Sequence, residues 1–436
     1  MERFWSVTTT YDPQDSAYLD ETAVREELTR VYDLCHGCQL CSKFCTAFPT
    51  LFAAIDRHDD QDTAKLTKAE QDQVNDECFQ CKLCYVNCPY IPGQSDWNID
   101  FPRLMLRADA MRHATGQVSR RTRFTDRVLG RTDLLGRIGT ATSGFTNAVM
   151  GKRGGFGRRV VEVTVGIASQ RLLPPYAKQR FSTWFRKRVR TRIERPQGKV
   201  AIFPTCLVEY QNPAIGQDLV KVYERNRVEC SLVDGARCCG APYLHSGDAA
   251  TFTKHAKSNI EALAAAVRDG HDIVVPQPTC SYILKKDYLD YVGGSDAKLV
   301  AANTYDVCEY LMRIYTDEGT SLDTDFLGDV PATVTYHTPC HLRAQNIGLK
   351  SRDLMKLTGA RIQLAQSCSG IDGTWGLRAE NYAIAKSIGG KLGAEIDRLG
   401  GEVVAGDCQL ANGAITEETG RVPIHPIQVV ARAYGI

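Results

Sequence analysis

No stretch of this chain reaches the ~18 uncharged apolar residues a helix needs to cross a bilayer, so the sequence predicts no membrane-spanning helix. The opening residues, MERFWSVTTTYDPQDSAYLDE, have neither a basic start nor an apolar run. That pattern predicts no secretory signal and a reducing, cytoplasmic location. No G-x-G-x-x-G turn follows a candidate strand, so the expectation is no flavin or nucleotide in this chain. Net charge is low, at +2, which by itself selects no nucleic-acid or membrane partner. With 436 residues, 43% hydrophobic and 24% charged, the composition is that of a globular protein of two to four domains.

Cysteine is what the chain has in excess, with 17 residues. Eight form two runs, Cys35, Cys38, Cys41, Cys45 and Cys78, Cys81, Cys84, Cys88, the second followed by Pro89. Each reads C-x2-C-x2-C-x3-C, the spacing that wraps three thiolates around one iron–sulfur cube and sends the fourth to a neighbouring cube. Two [4Fe-4S] clusters are expected, one on Cys35, Cys38, Cys41 and Cys88, the other on Cys78, Cys81, Cys84 and Cys45. Disulfides, zinc and plain buried cysteines are the alternatives. Cysteines three apart in a tight loop pair poorly with each other, and zinc sites normally use C-x2-C pairs split by a spacer. The first run departs from pattern, with Thr46 after Cys45 where proline is common.

Charge is segregated along the chain. From Arg112 to Arg195 there are 20 Lys and Arg against four acids, Asp126, Asp133, Glu162 and Glu194, so this belt carries +16. Segments such as RFSTWFRKRVRTRI mix aromatic residues with arginine at amphipathic-helix spacing. One reading is a membrane or partner surface carried by Arg186, Lys187, Arg188 and Arg190. The others are a helical connector with solvated or paired arginines, and nucleic-acid binding. The last is disfavoured because no nucleic-acid fold signature accompanies the charge.

After Gly198 short β-branched runs end in cysteine and alternate with alanine-rich helical stretches. VAIFPTC ends at Cys206 and TVTYHTPC at Cys340; the CCG of Cys238, Cys239 and Gly240 matches Cys368, Ser369 and Gly370; DIVVPQPTC ends at Cys280 and EVVAGDC at Cys408. Matched cysteines lie 134, 130 and 128 residues apart, which marks two tandem copies of one unit. The unit implies parallel α/β modules with cysteines at the carboxyl ends of strands, where open sheets hold ligands. Module one offers Cys206, Cys238, Cys239 and Cys280; module two offers Cys340, Cys368 and Cys408. Cys230 and Cys308 lie in apolar elements and read as small buried hydrophobes.

The motifs CCGAPYLHSGD, PTCSYIL, HTPCHLR and CSGIDGTWGLR resemble the paired cysteine-rich CCG modules of the heterodisulfide reductase family. The order of two-cluster segment and then two modules is similar to the iron–sulfur subunits of anaerobic glycerol-3-phosphate dehydrogenase, glycolate oxidase and lactate utilisation systems. The resemblance implies one or two further iron–sulfur clusters in the modules, cubane or noncubane. Ile283, Ser369 and Ala411 stand where a full module would carry more cysteines. Module two would therefore leave one iron open or take a different fourth ligand, for which His337, His341, Ser369 or a small molecule are the candidates.

The expected architecture is multidomain α+β. An α-helical two-[4Fe-4S] ferredoxin domain occupies 1–110, a basic amphipathic connector 111–197, and two α/β CCG modules 198–323 and 324–436. The resemblance implies an electron-transfer subunit that takes electrons from a flavin dehydrogenase of glycerol-3-phosphate, lactate or glycolate type and relays them to a quinone or other acceptor. The N-terminal sequence and the basic belt predict a cytoplasmic protein, peripheral on the inner face of the cell membrane if the belt docks there. The alternative is a heterodisulfide reductase-like enzyme that reduces a disulfide or thiol-derived substrate at a CCG-bound cluster.

Overall fold

The computed structural model describes residues 10–436. They divide into two compact units, residues 10–126 with Pro242–Phe252, and Arg127–Ala241 with Thr253–Ile436. In the first unit the main helices are Glu21–Cys38, Ala47–Asp56, Lys68–Asp76 and Phe101–Ala114. Three of the four starts are fixed by local chemistry. Asp20 accepts from the Ala23 N–H, Thr67 and Glu70 form a reciprocal capping box, and Asp100 accepts from the Arg103 N–H with Pro102 in the first turn. Their apolar faces meet in a core of Val24, Leu28, Val31, Phe48, Leu51, Leu104 and Met105. Burying side chains of this size is worth about 1.5–3 kcal/mol each relative to exposure, which anchors the cysteine loops between the helices.

Those loops depend on left-handed backbone. Gln39, at φ 52°, ends the first helix by donating its N–H to the Cys35 carbonyl. Gln80 and Lys82, at φ 51° and 61°, turn the second run just before the short helix Leu83–Asn87. Non-glycine residues in this region cost free energy and persist where the surroundings hold them, commonly at functional sites.

The second unit contains two parallel sheets. The strands are β1 (Gly198–Ile202), β2 (Val228–Leu232), β3 (Asp272–Val275) and β4 (Thr304–Asp306), then β5 (Thr333–His337), β6 (Arg361–Ala365) and β7 (Val403–Gly406). The first sheet runs β2-β1-β3-β4, with Gly198 opposite Val228 and Val200 opposite Asp272. The second runs β6-β5-β7, with Thr333 opposite Arg361 and Val334 opposite Val403. Val200, Ala201 and Ile202, like Ile273, Val274 and Val275, are buried in unbroken runs, as expected for strands covered on both faces.

The repeat reaches further than its cysteines. The place of β4 is taken in the second module by a single parallel bridge between Ala405 and Ile424. Just after the bridge, as at the end of β4, a helix opens through a capping box, Asp306 with Glu309 and His425 with Gln428. The final helix, Pro426–Tyr434, puts Ile427, Val430 and Tyr434 into the same core as Val200, Ile215 and Leu219, so module two completes the packing of module one.

The part of the basic belt from Arg127 onward packs within this unit. Gly136, in the helix Thr132–Ala141, lies so close to the Tyr210 ring that a Cβ would overlap it. Buried Arg158 donates to the carbonyls of Ala168 and Arg171 at 2.6 and 2.8 Å. Arg171 in turn lies 3.5 Å from Glu417 and over the Tyr382 ring.

Candidate functional site

In the first unit the eight cysteines line two small cavities. One is bounded by Cys35, Cys38, Cys41 and Cys88, the other by Cys45, Cys78, Cys81 and Cys84. Phe48 lines both and forms a common wall, because the helix Ala47–Asp56 begins two residues after Cys45. Electrostatics groups the thiols the same way. Burial pushes Cys35 well up, and the charges that add to it come from Cys41, Cys88 and Cys38. Burial likewise raises Cys78, with Cys45 the next cause, and Cys84, with Cys81, Cys78 and Cys45 following. Four thiols held this close together cannot all ionise without a cationic partner. The donor set therefore suits a thiophilic metal or an iron–sulfur cluster, which takes the protons' place. Cys38 is exposed while Cys81 and Cys84 are buried, so the first cavity lies nearer solvent.

Module one brings all four of its cysteines into a row. Cys238 sits within hydrogen-bonding reach of the thiols of both Cys206 and Cys239, which donate to it, and Cys239 is within reach of Cys280. Hydrogen bonds from Cys206 and then Cys239 draw Cys238 well below the usual thiol range, while Cys206 and Cys239 are pushed up, so the row shares its protons. Thr205, immediately before Cys206, has φ 60°, a rare conformation for a β-branched residue.

The CCG turn is held by residues that the cysteine pattern does not reveal. Asn259, wholly buried, donates to the carbonyl of Cys238 at 3.2 Å and to the Tyr288 hydroxyl oxygen at 2.9 Å, and accepts from the Arg237 N–H at 2.8 Å. Tyr288 donates to the Cys239 carbonyl at 3.0 Å. Asp133, from the basic belt, accepts from the Cys238 N–H at 2.9 Å. The signal for Asp133 was its isolation, as one of four acids among 20 cations.

In module two, Cys340 opens a short helix after β5, Cys368 lies in the loop after β6, and Cys408 caps the helix Gln409–Thr419 after β7. Gly370 N–H donates to Cys368 Sγ at 3.3 Å. His341 Nδ1 lies 3.7 Å from Cys340 Sγ and 3.3 Å from Thr279 Oγ1. Burial lowers His337 to about 4, which keeps its imidazole neutral, the form in which histidine binds metals. Ser369, in the place of the second CCG cysteine, is buried. Cys308 also lies in a cluster, its Sγ and carboxylate oxygens of Asp306 and Asp407 being within 4.8 Å of one another.

The four basic residues singled out from sequence have different surroundings. Arg186 pairs with Asp234 at 3.3 Å. Arg188 is half-buried, 2.8 Å from Glu224 and over the Phe185 ring. Lys187 and Arg190 are exposed, without an acidic partner among the described residues. Elsewhere in the belt, Phe156, Val160 and Val163 are exposed at i, i+4 and i+7 of one helix, beside exposed Phe145, Lys152, Arg153 and Arg159.

Comparison with known proteins accounts for the repeated modules. The family model for the CCG cysteine-rich domain matches residues 200–285 and 334–412. The chain is similar to a subunit of the anaerobic glycerol-3-phosphate dehydrogenase of Escherichia coli K12, at 28% identity over 82% of this chain and 98% of that protein. It is 28% identical to a subunit of the fumarate reductase (CoM/CoB) of Methanothermobacter marburgensis over 49% of this chain and 41% of that one. It is also 28% identical to lactate utilization protein A of Geobacillus thermodenitrificans, over 41% of this chain and 75% of the relative. Among the described residues no helix is long and apolar enough to cross a membrane.

Proposed function

We propose that this chain, a protein with two CCG cysteine-rich domains, is the iron–sulfur electron-transfer subunit of a multisubunit oxidoreductase. A flavin dehydrogenase partner of glycerol-3-phosphate, lactate or glycolate type would supply the electrons, and a quinone or other acceptor would take them. The observation that carries the reading is the pair of four-cysteine cavities sharing Phe48 as a wall. Cys35, Cys38, Cys41 and Cys88 would hold one [4Fe-4S] cluster, and Cys78, Cys81, Cys84 and Cys45 the other. Bound there, the clusters supply one-electron transfer without proton chemistry. The chain's own residues hold the thiolates apart, exclude water with Phe48, Phe52 and Phe101, and leave Cys38 exposed toward a partner. Cys206, Cys238, Cys239 and Cys280 supply four thiolates for a further cluster. Cys340, Cys368 and Cys408 supply three, with His337, His341 or Ser369 as candidates for the fourth position.

The test is iron and acid-labile sulfide per chain, with electron paramagnetic resonance spectra, on protein purified without oxygen. Roughly 16 irons are expected if both modules are filled, and roughly eight if the first unit alone is. Alone, the protein should oxidise neither glycerol 3-phosphate, lactate nor glycolate. Fewer than about four irons, or such an oxidation without a flavin partner, would overturn the reading. The heterodisulfide-reducing alternative has less support, because Ile283, Ser369 and Ala411 occupy cysteine positions of that family.

Peripheral docking on the inner face of the cell membrane is a second element of the proposal. Its support is the exposed stripe Phe156, Val160 and Val163 beside Lys152, Arg153 and Arg159, an apolar edge with cations that suits an anionic lipid surface.

A further inference from the structure

Beside the thiol row of module one lies a cavity of about 360 Å³, within the range of small-molecule sites. Cys206 and Cys238 form part of its lining, and Phe203, Tyr210 and Val233 give it apolar walls. Arg137, Arg180, Arg186 and Arg237 also line it. Its two carboxylates are already engaged. Glu209 accepts from the Ser182 N–H and hydroxyl at 2.9 and 2.6 Å, and Asp133 from the Cys238 N–H and the Tyr210 hydroxyl at 2.9 and 3.4 Å. The cations are less so. Arg186 is paired with Asp234, but the side chains of Arg180 and Arg237 have no hydrogen-bond or ion-pair partner among the described residues. Arg180 achieves this while half-buried.

We propose that this cavity binds a small organic oxyanion, a carboxylate or phosphate with an apolar body, against the Cys206–Cys238 edge of the module-one metal site. The inference rests on the reading of these cysteines as cluster ligands given above. Guanidinium forks match carboxylate and phosphate oxygens in a bidentate manner, and unpaired arginines beside apolar walls select for a molecule with both features. The belt, which contributes Asp133, Arg137, Arg180 and Arg186, thereby supplies much of the ligand recognition while module one supplies the redox group.

The experiment uses the iron-loaded full chain and three probes with the same ring: benzoate, phenyl phosphate and neutral benzyl alcohol. Calorimetry should show binding of at least one anion and none of the alcohol, and the two anions separate carboxylate from phosphate selectivity. The double variant R180A/R237A should weaken anion binding roughly tenfold or more, the loss expected for charged hydrogen bonds. Binding should also perturb the paramagnetic signal that Cys206→Ser removes. No binding of either anion, equal binding of benzyl alcohol, or affinity unchanged in the double variant would overturn the proposal. Arginine-dependent binding to a chain with no iron in module one would instead sustain the cavity and remove the cluster assignment. Iron in module one with no anion binding would do the reverse.

Discussion

Gln277, two residues beyond β3 of module one, donates its side-chain N–H to Cys408 Sγ of module two at 3.2 Å, and its Oε1 accepts from the Gln409 N–H at 3.2 Å. The contact is not isolated. Gln345 Nε2 reaches the Pro278 carbonyl at 3.3 Å and the Ser281 hydroxyl at 2.8 Å, and the His341 ring meets Tyr282 edge-on. The loops that carry Cys280, Cys340 and Cys408 thus support one another across the repeat.

Hydrogen bonds to ligand sulfur favour the reduced, more negative state of a cluster. Gln277→Leu should therefore lower the potential of the cluster proposed on Cys340, Cys368 and Cys408 by something on the order of tens of millivolts, while the signals of the clusters proposed in the first unit stay in place. Potentiometry followed by paramagnetic resonance reads both at once.

Cys45 and Cys88 distinguish crossed from uncrossed ligation. Each lies at the end of its own run but lines the cavity of the other. Cys88→Ala should disturb the cluster on Cys35, Cys38 and Cys41, and Cys45→Ala that on Cys78, Cys81 and Cys84, each losing up to roughly four irons. Loss of the opposite cluster in either variant would refute the crossed assignment.

Asn259→Leu strands the Arg237 N–H and removes the bonds to the Cys238 carbonyl and Tyr288. A buried network broken this way should cost about 2–4 kcal/mol. The expected outcome is a lower melting temperature and reduced iron in module one, with the ferredoxin-type signals unchanged in the remaining folded protein.

His425 makes stability depend on acid. It is wholly buried, its Nδ1 accepts from the Ile427 N–H at 3.1 Å, and burial lowers it to about 3. Between that value and the ordinary ~6.5, the unfolded chain binds a proton that the folded one does not. The contribution of His425 is thus complete above about pH 6.5 and is lost as pH drops toward 3, by up to about 1.4 kcal/mol per unit. Denaturation of His425→Asn, which keeps a capping side chain, should show a shallower slope across that window.

Vesicle binding separates the two basic surfaces. Replacing Phe156 and Val163 by serine should release the protein from anionic vesicles. Neutralising Arg186, Lys187, Arg188 and Arg190 should have a smaller effect, because Arg186 and Arg188 already hold Asp234 and Glu224. Each unpaired cation near such a surface contributes on the order of 1 kcal/mol, so raised salt should weaken binding. Equal binding by the serine variant would refute this surface.

The short-range features were legible because spacing encodes them. Three-residue intervals placed the cysteine loops, and the 134, 130 and 128-residue offsets placed β1, β2 and β3 against β5, β6 and β7. The capping boxes at Asp306 and His425, 119 residues apart, belong to the same repeat. They leave no shared signature, because an aspartate and a histidine perform the same cap without sharing a letter.

What the sequence determined by itself is the inventory and spacing of the cysteines and the tandem order of the modules, since chemistry and periodicity are local properties of the chain. Tertiary structure decided which residues surround those cysteines. Asp133 reaches Cys238 across 105 positions, Gln277 reaches Cys408 across 131, and Arg188 became an internal ion pair instead of a free surface charge. Such contacts follow from how helices and sheets pack, and a hydrogen bond or ion pair between distant segments leaves no periodic trace in the residues that make it.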